Sequence, residues 1–173
     1  MSTTTHAGTE TAVATQVYRV YIKATPQAIW DAITKPEWNS KYGYPGTGEY
    51  DLRPGGKYLA SADEAAQAMG MPAELVDGEV LEAEPPRKLV QTWRALWSPD
   101  LIAEGPTRVT WEISDEDGGV SQLTVTHELE GKPLHAAQVA STAPLAQGGG
   151  GWTWILSDLK TLLETGNTLG PDA

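Results

Sequence analysis

The C-terminal stretch Gly148–Gly166, GGGGWTWILSDLKTLLETG, constrains the fold more than any other part of the sequence. Apolar side chains recur along it at helical spacing, which is the pattern of an amphipathic helix with one continuous apolar stripe. They are Trp152, Ile155, Leu156, Leu159, Leu162 and Leu163. Gly166 stands where a left-handed residue ends many helices. We predict a helix from Gly151 to Thr165, and its apolar stripe needs a partner surface.

Four consecutive glycines, Gly148–Gly151, precede the bulk of this helix. Glycine has no side chain, so the chain can enter the helix at an angle that a bulkier loop would forbid. The run is not a phosphate-binding loop, because no Lys-Ser or Lys-Thr pair follows it and Trp152 occupies the helix opening. We interpret the glycines as a structural entrance to the helix.

The composition excludes several classes of function. The formal net charge is −11, and no cluster of Lys and Arg is present to bind phosphate backbones, so we expect no nucleic-acid partner. The absence of cysteine excludes disulfides, thiolate metal ligands and thiol catalysis. No apolar run approaches the roughly 18 residues that a membrane span requires. We expect no membrane association and a cytoplasmic location.

Most of the chain before the glycines follows the two-residue period of β-strands. The first strand is predicted at Gln16–Ala24, and two short helices follow at Gln27–Thr34 and Pro36–Lys41. Six further strands are predicted from the alternation and from the Gly and Pro breaks between them. They span Gly48–Leu52, Lys57–Ser61, Ala73–Ala83, Arg87–Leu96, Thr107–Ser114 and Val120–Glu130.

Three connecting segments do not show this two-residue alternation. Ala62–Pro72 is rich in Ala, Glu and Gln, which favour helix, so it forms either a lid-like helical turn or a bent connection between strands. Trp97–Pro106 is predicted to be a loop. Lys132–Gln147 is predicted to be a mobile connection with room for a helical turn at Leu134–Ala140.

The order of elements predicts an α+β fold in a single domain. A curved seven-stranded antiparallel sheet would grip the long C-terminal helix, with the two short helices after the first strand. We place the domain at residues 16–167, after a disordered leader at 1–15 and before a tail at 168–173. Seven curved strands around one helix leave space for a cavity at their open end.

Several short motifs are similar to those of one family, in the same order. They are Trp30–Thr34, Tyr50–Tyr58, Gly78–Glu82, Leu123–Glu128 and Gly151-Trp152. They resemble the AHSA-like family, named after the activator of the Hsp90 ATPase, within the START-like (SRPBCC) helix-grip superfamily. The resemblance covers Val17 to Gly166 and implies the START-like helix-grip fold.

The resemblance leaves the activity open, because these motifs are mainly turns, hairpin corners and core aromatic residues. Members of the superfamily include co-chaperones, carriers of hydrophobic molecules, polyketide cyclases and self-resistance proteins. The eukaryotic co-chaperones carry a further N-terminal domain where this chain has a short polar leader, which counts against chaperone activation. Dimers are common among relatives, and the sequence leaves a homodimer open.

The predicted cavity gathers residues from the inner face of the sheet and from the helix. The candidate ligand-binding residues are Gln91, Trp93, Trp111, Val125, His127, Trp152 and Leu156. Such a pocket would bind by burial of apolar surface, with a few polar groups fixing the orientation of the ligand. Gln91 shares a strand face with Trp93 and would supply an inward amide.

His127 is the candidate catalytic residue. It shares a strand face with Leu123, Val125 and Leu129, where an imidazole could orient a ligand carbonyl or transfer a proton near neutral pH. The alternative is a core histidine that is hydrogen-bonded to a backbone or carboxylate partner. The spacing fixes no second catalytic group.

Three functions follow as hypotheses. We favour binding or sequestration of a small hydrophobic or aromatic molecule in the cavity. The second hypothesis is a cyclase- or hydrolase-like enzyme that uses His127, and the third is a protein-interaction module such as a chaperone regulator. We expect no cofactor and no metal, because His6, His127 and His135 lack metal-ligand spacing.

Overall fold

The computed structural model describes residues 14–170. The predicted leader at residues 1–15 therefore lies almost entirely outside the described residues, as does the end of the predicted tail, residues 171–173. Thr15 already belongs to the first strand.

Seven antiparallel strands form one curved sheet, as the sequence predicts. They are β1 Thr15–Ile22, β2 Thr47–Tyr50, β3 Lys57–Ser61, β4 Glu74–Glu84, β5 Lys88–Ala95, β6 Thr107–Asp115 and β7 Ser121–Glu128. Their order across the sheet is β1-β7-β6-β5-β4-β3-β2. Strands β2 to β7 therefore form a continuous meander, and β1 pairs with the last strand of that meander. Register shifts at Ala60/Ser61 and Val80/Glu82 are of the kind that bends a strand.

Six α-helices accompany the sheet within the described residues. They are α1 Pro26–Thr34, α2 Pro36–Asn39, α3 Glu64–Ala68, α4 Pro99–Glu104, α5 Pro133–Val139 and α6 Gly151–Thr165. The bounds of α6 agree with those predicted from its apolar spacing. Helical turns occur in Ala62–Pro72 as α3 and near Leu134–Ala140 as α5, and a short 3-10 helix at Leu145–Gln147 follows α5.

The loop predicted at Trp97–Pro106 is wrong in part, because this segment contains α4. Ser98 caps the helix by accepting a hydrogen bond from the amide of Asp100, and Pro99 occupies the first helical position. The helix α4 is short, and Leu101 is its one buried residue. Its sequence therefore shows no apolar period. The pair Ser98-Pro99 was the available signal.

The apolar stripe of α6 packs on the concave face of the sheet. Trp152, Leu156, Leu159 and Leu162 are buried, and they share one core cluster with residues of α1 and of the inner sheet face. The helix contacts β1, α1 and α5. It therefore lies toward the β1 edge of the sheet and leaves the opposite half less covered.

The glycines before α6 are required by close approaches of the backbone. A Cβ on Gly151 would lie 2.0 Å from the carbonyl oxygen of Val139, and a Cβ on Gly149 would lie 1.8 Å from that of Ala143. Gly151 also has a φ of +54°, in the left-handed region that favours glycine. These contacts let α6 begin directly against the end of α5.

Asp158 fastens α6 to two loops. Its carboxylate is buried and accepts hydrogen bonds from the amide of Gly43 at 2.9 Å and from the amide of Leu169 at 2.7 Å. Gly43 lies in the segment that leads to β2, and Leu169 lies beyond the end of α6. One side chain thus holds together three separate segments.

Replacing Asp158 with asparagine is expected to lower the free energy of unfolding by about 1 to 3 kcal/mol. The new amide can accept one of the two hydrogen bonds, but its NH2 group then faces the other N–H donor. Urea denaturation of parent and variant measures the difference. Asp117→Asn is the matched control, because Asp117 is exposed and has a positive φ, which asparagine tolerates. Equal losses in the two variants would contradict the role given to Asp158.

Candidate functional site

A cavity of about 480 Å³ lies between the concave face of the sheet and the beginning of α6. Strands β2 to β6 contribute to its wall, together with residues 42–46, the segment around α3 and the start of α6. Eight of the lining side chains are aromatic. They are Tyr42, Tyr44, Tyr50, Tyr58, Trp93, Trp97, Trp111 and Trp152.

The structure brings four of the seven candidate ligand-binding residues to this wall. They are Gln91, Trp93, Trp111 and Trp152. Val125, His127 and Leu156 are buried in the core and are not part of the lining. Val125 and His127 lie on β7, next to the β1 edge that α6 approaches, whereas the wall is built by β2 to β6.

Gln91 lies on β5 and is 1% exposed. Its Oε1 atom accepts hydrogen bonds from the Tyr50 hydroxyl at 3.0 Å and from Trp111 Nε1 at 3.2 Å. An indole nitrogen can only donate, so the atom that faces it must be the amide oxygen. The Nε2 atom contacts the carbonyl oxygen of Thr92 at 3.5 Å. The side chain is therefore fixed in orientation, with its oxygen engaged and its NH2 group weakly paired.

His127 is fully buried, and both of its ring nitrogens are engaged. Nδ1 accepts a hydrogen bond from Trp152 Nε1 at 3.0 Å. The Thr107 hydroxyl donates to the carbonyl of Trp93, so its oxygen accepts from His127 Nε2–H at 2.7 Å. Burial, and secondarily the nearby His135 ring, lowers the pKa of His127 from its ordinary 6.5 to about 3. The imidazole is thus neutral at physiological pH and holds the Trp152 indole in place.

A second buried histidine joins α5 to α4. His135 Nε2 accepts from the amide of Ala95 at 3.1 Å, so Nδ1 carries the proton and donates it to Glu104 Oε1 at 2.8 Å. The Glu104 carboxylate also accepts from the amides of Leu134 and His135. Burial alone raises the pKa of Glu104, but these hydrogen bonds outweigh it and leave that pKa below its ordinary value. The pair is a structural clamp behind Trp93, whose ring meets His135 edge to face.

The tyrosines of the wall give no signal in the sequence pattern, because their partners come from distant segments. The rings of Tyr50 and Tyr58 stack with 4.4 Å between centroids. Burial raises the pKa of Tyr58 to about 12 and that of Tyr50 well above its ordinary value. Both hydroxyls are therefore protonated at neutral pH. Tyr44 closes the rim, since its hydroxyl donates to the carbonyl of Gly149 and accepts from the amide of Gly151.

The cavity wall is mostly apolar and carries no charged side chain among the described residues. Among residues 14–170, none of those that line the cavity is Asp, Glu, Lys, Arg or His. The described part of the chain also contains no group of His, Asp and Glu side chains that could hold a metal ion. Its helices are too short or too polar to cross a bilayer. The cavity can enclose an apolar molecule and form a few hydrogen bonds with it.

A family model described as "Activator of Hsp90 ATPase homolog 1-like protein" matches residues 23–164. The chain belongs to this family. The match confirms the resemblance carried by the motifs at Trp30–Thr34, Tyr50–Tyr58, Gly78–Glu82 and Leu123–Glu128. No curated protein matches the chain.

Solved structures share the helix-grip fold of this family member. MLL2253 from Mesorhizobium loti is 21% identical, with 86% of this chain and 96% of that chain covered and a TM-score of 0.62. DynU16, described as a putative protein in the dynemicin biosynthetic locus, is 21% identical, with 90% of this chain covered and a TM-score of 0.62. The chain spans 49% of DynU16. The Aha1 dimer from Colwellia psychrerythraea is 16% identical, with coverages of 88% and 97% and a TM-score of 0.59.

Proposed function

We propose that this protein binds and sequesters a small hydrophobic or aromatic molecule in the cavity between the sheet and α6. The observation that carries the proposal is the cavity itself, whose volume of about 480 Å³ falls within the range of roughly 300 to 1,000 Å³ typical of small-molecule sites. Its aromatic wall offers large apolar area with few polar atoms. DynU16, a structural neighbour, belongs to a biosynthetic locus, which is a setting compatible with small-molecule binding.

The same geometry supports binding over proton transfer by His127. The imidazole is not part of the cavity wall, and Trp152 and Thr107 occupy its two nitrogens. A general acid or base must come within hydrogen-bond reach of the proton that it transfers. An enzyme that used His127 would first have to move Trp152 away.

An open cavity also counts against the hypothesis of a pure protein-interaction module, for which a filled core would be expected. The Colwellia relative is a dimer, and a homodimer of this chain stays a prediction. The proposal concerns the cavity of one chain and does not depend on dimerisation.

The proposal predicts saturable stabilisation by apolar aromatic or acyl compounds in a thermal-shift assay. A ligand at a hundredfold excess over its Kd adds about 2.7 kcal/mol, or about 5 to 10 °C for a chain of this size. Ala60 lines the cavity from β3, so Ala60→Phe should fill part of it and abolish the shift. Leu59→Phe is the matched control, because adjacent strand residues point to opposite faces.

Two results would contradict the proposal. One is the absence of a shift with any compound of the panel while the protein is folded. The other is an equal shift in the parent, Ala60→Phe and Leu59→Phe proteins, which would place the bound compound outside the cavity. Tryptophan fluorescence provides a second readout, since four indoles line the wall.

A further inference from the structure

One side chain of the cavity wall has hydrogen-bonding capacity to spare. Gln91 is 1% exposed, and its NH2 group has two N–H bonds. Among the described residues its hydrogen-bond contact is the carbonyl oxygen of Thr92, at 3.5 Å, the outer limit for a hydrogen bond. At least one buried N–H of Gln91 is therefore available to a molecule in the cavity, and leaving it unpaired is unfavourable.

The amide cannot turn to present its oxygen instead. Tyr50 and Trp111 both donate to Oε1, and Trp111 has no acceptor to offer in exchange. The ring of Trp111 is itself held edge to face against Trp152, with 5.2 Å between centroids. The wall thus presents a donor, and not an acceptor, at this position.

Three other polar side chains of the wall are hydrogen-bonded within the protein. The Tyr42 hydroxyl donates to the carbonyl of Ala32, and that of Tyr44 bridges two glycines of the α6 entrance. The Asn39 amide donates to the carbonyls of Ile33 and Gly48 and accepts from the Gly48 amide. Among the described residues, Gln91 is the one buried Ser, Thr, Asn, Gln, His or charged side chain that lines the cavity, so it is well placed to select a ligand by hydrogen bonding.

The absence of charge from the lining residues within 14–170 adds a second condition. A charged ligand would lose its hydration without gaining a counter-ion, which is strongly unfavourable. The eight aromatic rings favour a flat, aromatic ligand, because rings pack well edge to face and in offset stacks.

We infer that the ligand is an uncharged aromatic compound with a hydrogen-bond acceptor such as a ring ketone or quinone oxygen, and that Gln91 recognises this acceptor. The inference rests on the proposed function, since it specifies the ligand of the same cavity. Gln91 determines specificity here, and Tyr50 and Trp111 position its amide.

Three probes of similar shape test the inference: fluorene, fluorenone and fluorenecarboxylate. Their dissociation constants are measured by tryptophan fluorescence with the parent, with Gln91→Met and with Ile155→Met. Ile155 also lines the cavity but is apolar, so its variant is the matched control. The ratio of the fluorene Kd to the fluorenone Kd is compared between proteins, because a change of cavity shape affects both neutral probes alike.

The preference for fluorenone over fluorene is expected to fall by about 3- to 10-fold in Gln91→Met relative to the parent, the effect of one buried hydrogen bond. Ile155→Met should leave this ratio unchanged. Fluorenecarboxylate should bind at least about tenfold more weakly than fluorenone. Tyr50→Phe leaves Oε1 with Trp111 as its remaining donor, so the amide is held less firmly and the preference should fall while fluorene still binds.

Other outcomes overturn the inference in distinguishable ways. An equal ratio of the fluorene and fluorenone Kd values in the parent and in Gln91→Met, with binding of both probes blocked by Ala60→Phe, would overturn the role of Gln91 and leave the proposed function standing. Tighter binding of the carboxylate than of fluorenone would overturn the requirement for an uncharged ligand. Failure of both neutral probes to bind the folded parent would overturn the inference together with aromatic ligand binding.

Discussion

Gly151→Ala is expected to lower the free energy of unfolding by about 2 to 5 kcal/mol. The new Cβ would lie 2.0 Å from the carbonyl oxygen and 2.6 Å from the carbonyl carbon of Val139, and backbone atoms cannot move aside as a flexible side chain can. The φ of +54° adds a further cost for alanine. To relieve these contacts the start of α6 must shift away from the end of α5.

Gly118→Ala is the matched control for this prediction. Gly118 has a φ of +66° but nothing within 4 Å of its would-be Cβ, so it carries the backbone cost without the clash, about 1 to 2 kcal/mol. Urea denaturation of the three proteins separates the two contributions. A loss in Gly151→Ala no larger than that in Gly118→Ala would show that the close approach to Val139 is not needed.

The same substitution should also impair ligand binding at temperatures where the variant is still folded. Gly151 lines the cavity, and Trp152 follows it directly. The amide of Gly151 also donates a hydrogen bond to the Tyr44 hydroxyl at the rim. A shift of the α6 entrance therefore moves one wall of the cavity, which a fluorescence titration with fluorenone would detect as weaker binding.

The architecture could be predicted because the sequence patterns that specify it lie within single segments and extend over many residues. The apolar period of α6 extends over four turns, and the glycines on either side mark its ends, so Gly151–Thr165 was predicted with the observed bounds. The helix α4 was missed because it has fewer than two turns and one buried residue, Leu101. In so short an element the cap residues Ser98 and Pro99 carry more information than periodicity does.

The site was predictable only in part, since strand parity gives the face on which a residue lies but not its position along the curved sheet. Trp93 and Trp111 line the cavity, whereas His127 is fully buried on the same side of the sheet and is not part of the lining. The difference comes from the strand order, in which β7 pairs with β1. Likewise, the hydrogen bond between Tyr50 and Gln91 joins residues 41 positions apart, which no spacing rule reveals.

His127 is expected to make the protein less stable in acid. Unfolded, its imidazole takes up a proton below about pH 6.5; folded, its pKa is about 3, mainly because the ring is buried. Between these values the unfolded state binds one proton more than the folded state, so the free energy of unfolding rises with pH throughout the window. The slope is about 1.4 kcal/mol per pH unit, so the whole window amounts to about 5 kcal/mol.

Two variants isolate this contribution from that of the carboxylates. In His127→Gln the side-chain amide can still donate to Thr107, and in His127→Asn the side-chain oxygen can still accept from Trp152 Nε1, yet neither side chain titrates. Both should be less stable than the parent at pH 7.5 by about 1 to 3 kcal/mol, because one partner of His127 stays unpaired. The difference in free energy of unfolding between parent and variant should shrink as the pH falls from 6.5 toward 4. The reason is that protonation of His127 in the unfolded state destabilises the parent and not the variants.

Urea denaturation at half-unit pH intervals gives the difference between parent and variant directly. A difference that stays constant between pH 6.5 and 4 would mean that His127 is protonated as readily in the folded protein as in the unfolded one. That result would require an imidazole in contact with water or with a ligand site, and it would reopen proton transfer by His127 as the function of the cavity. A shrinking difference instead shows that the folded protein keeps His127 neutral, which is the form that accepts the hydrogen bond from Trp152 Nε1.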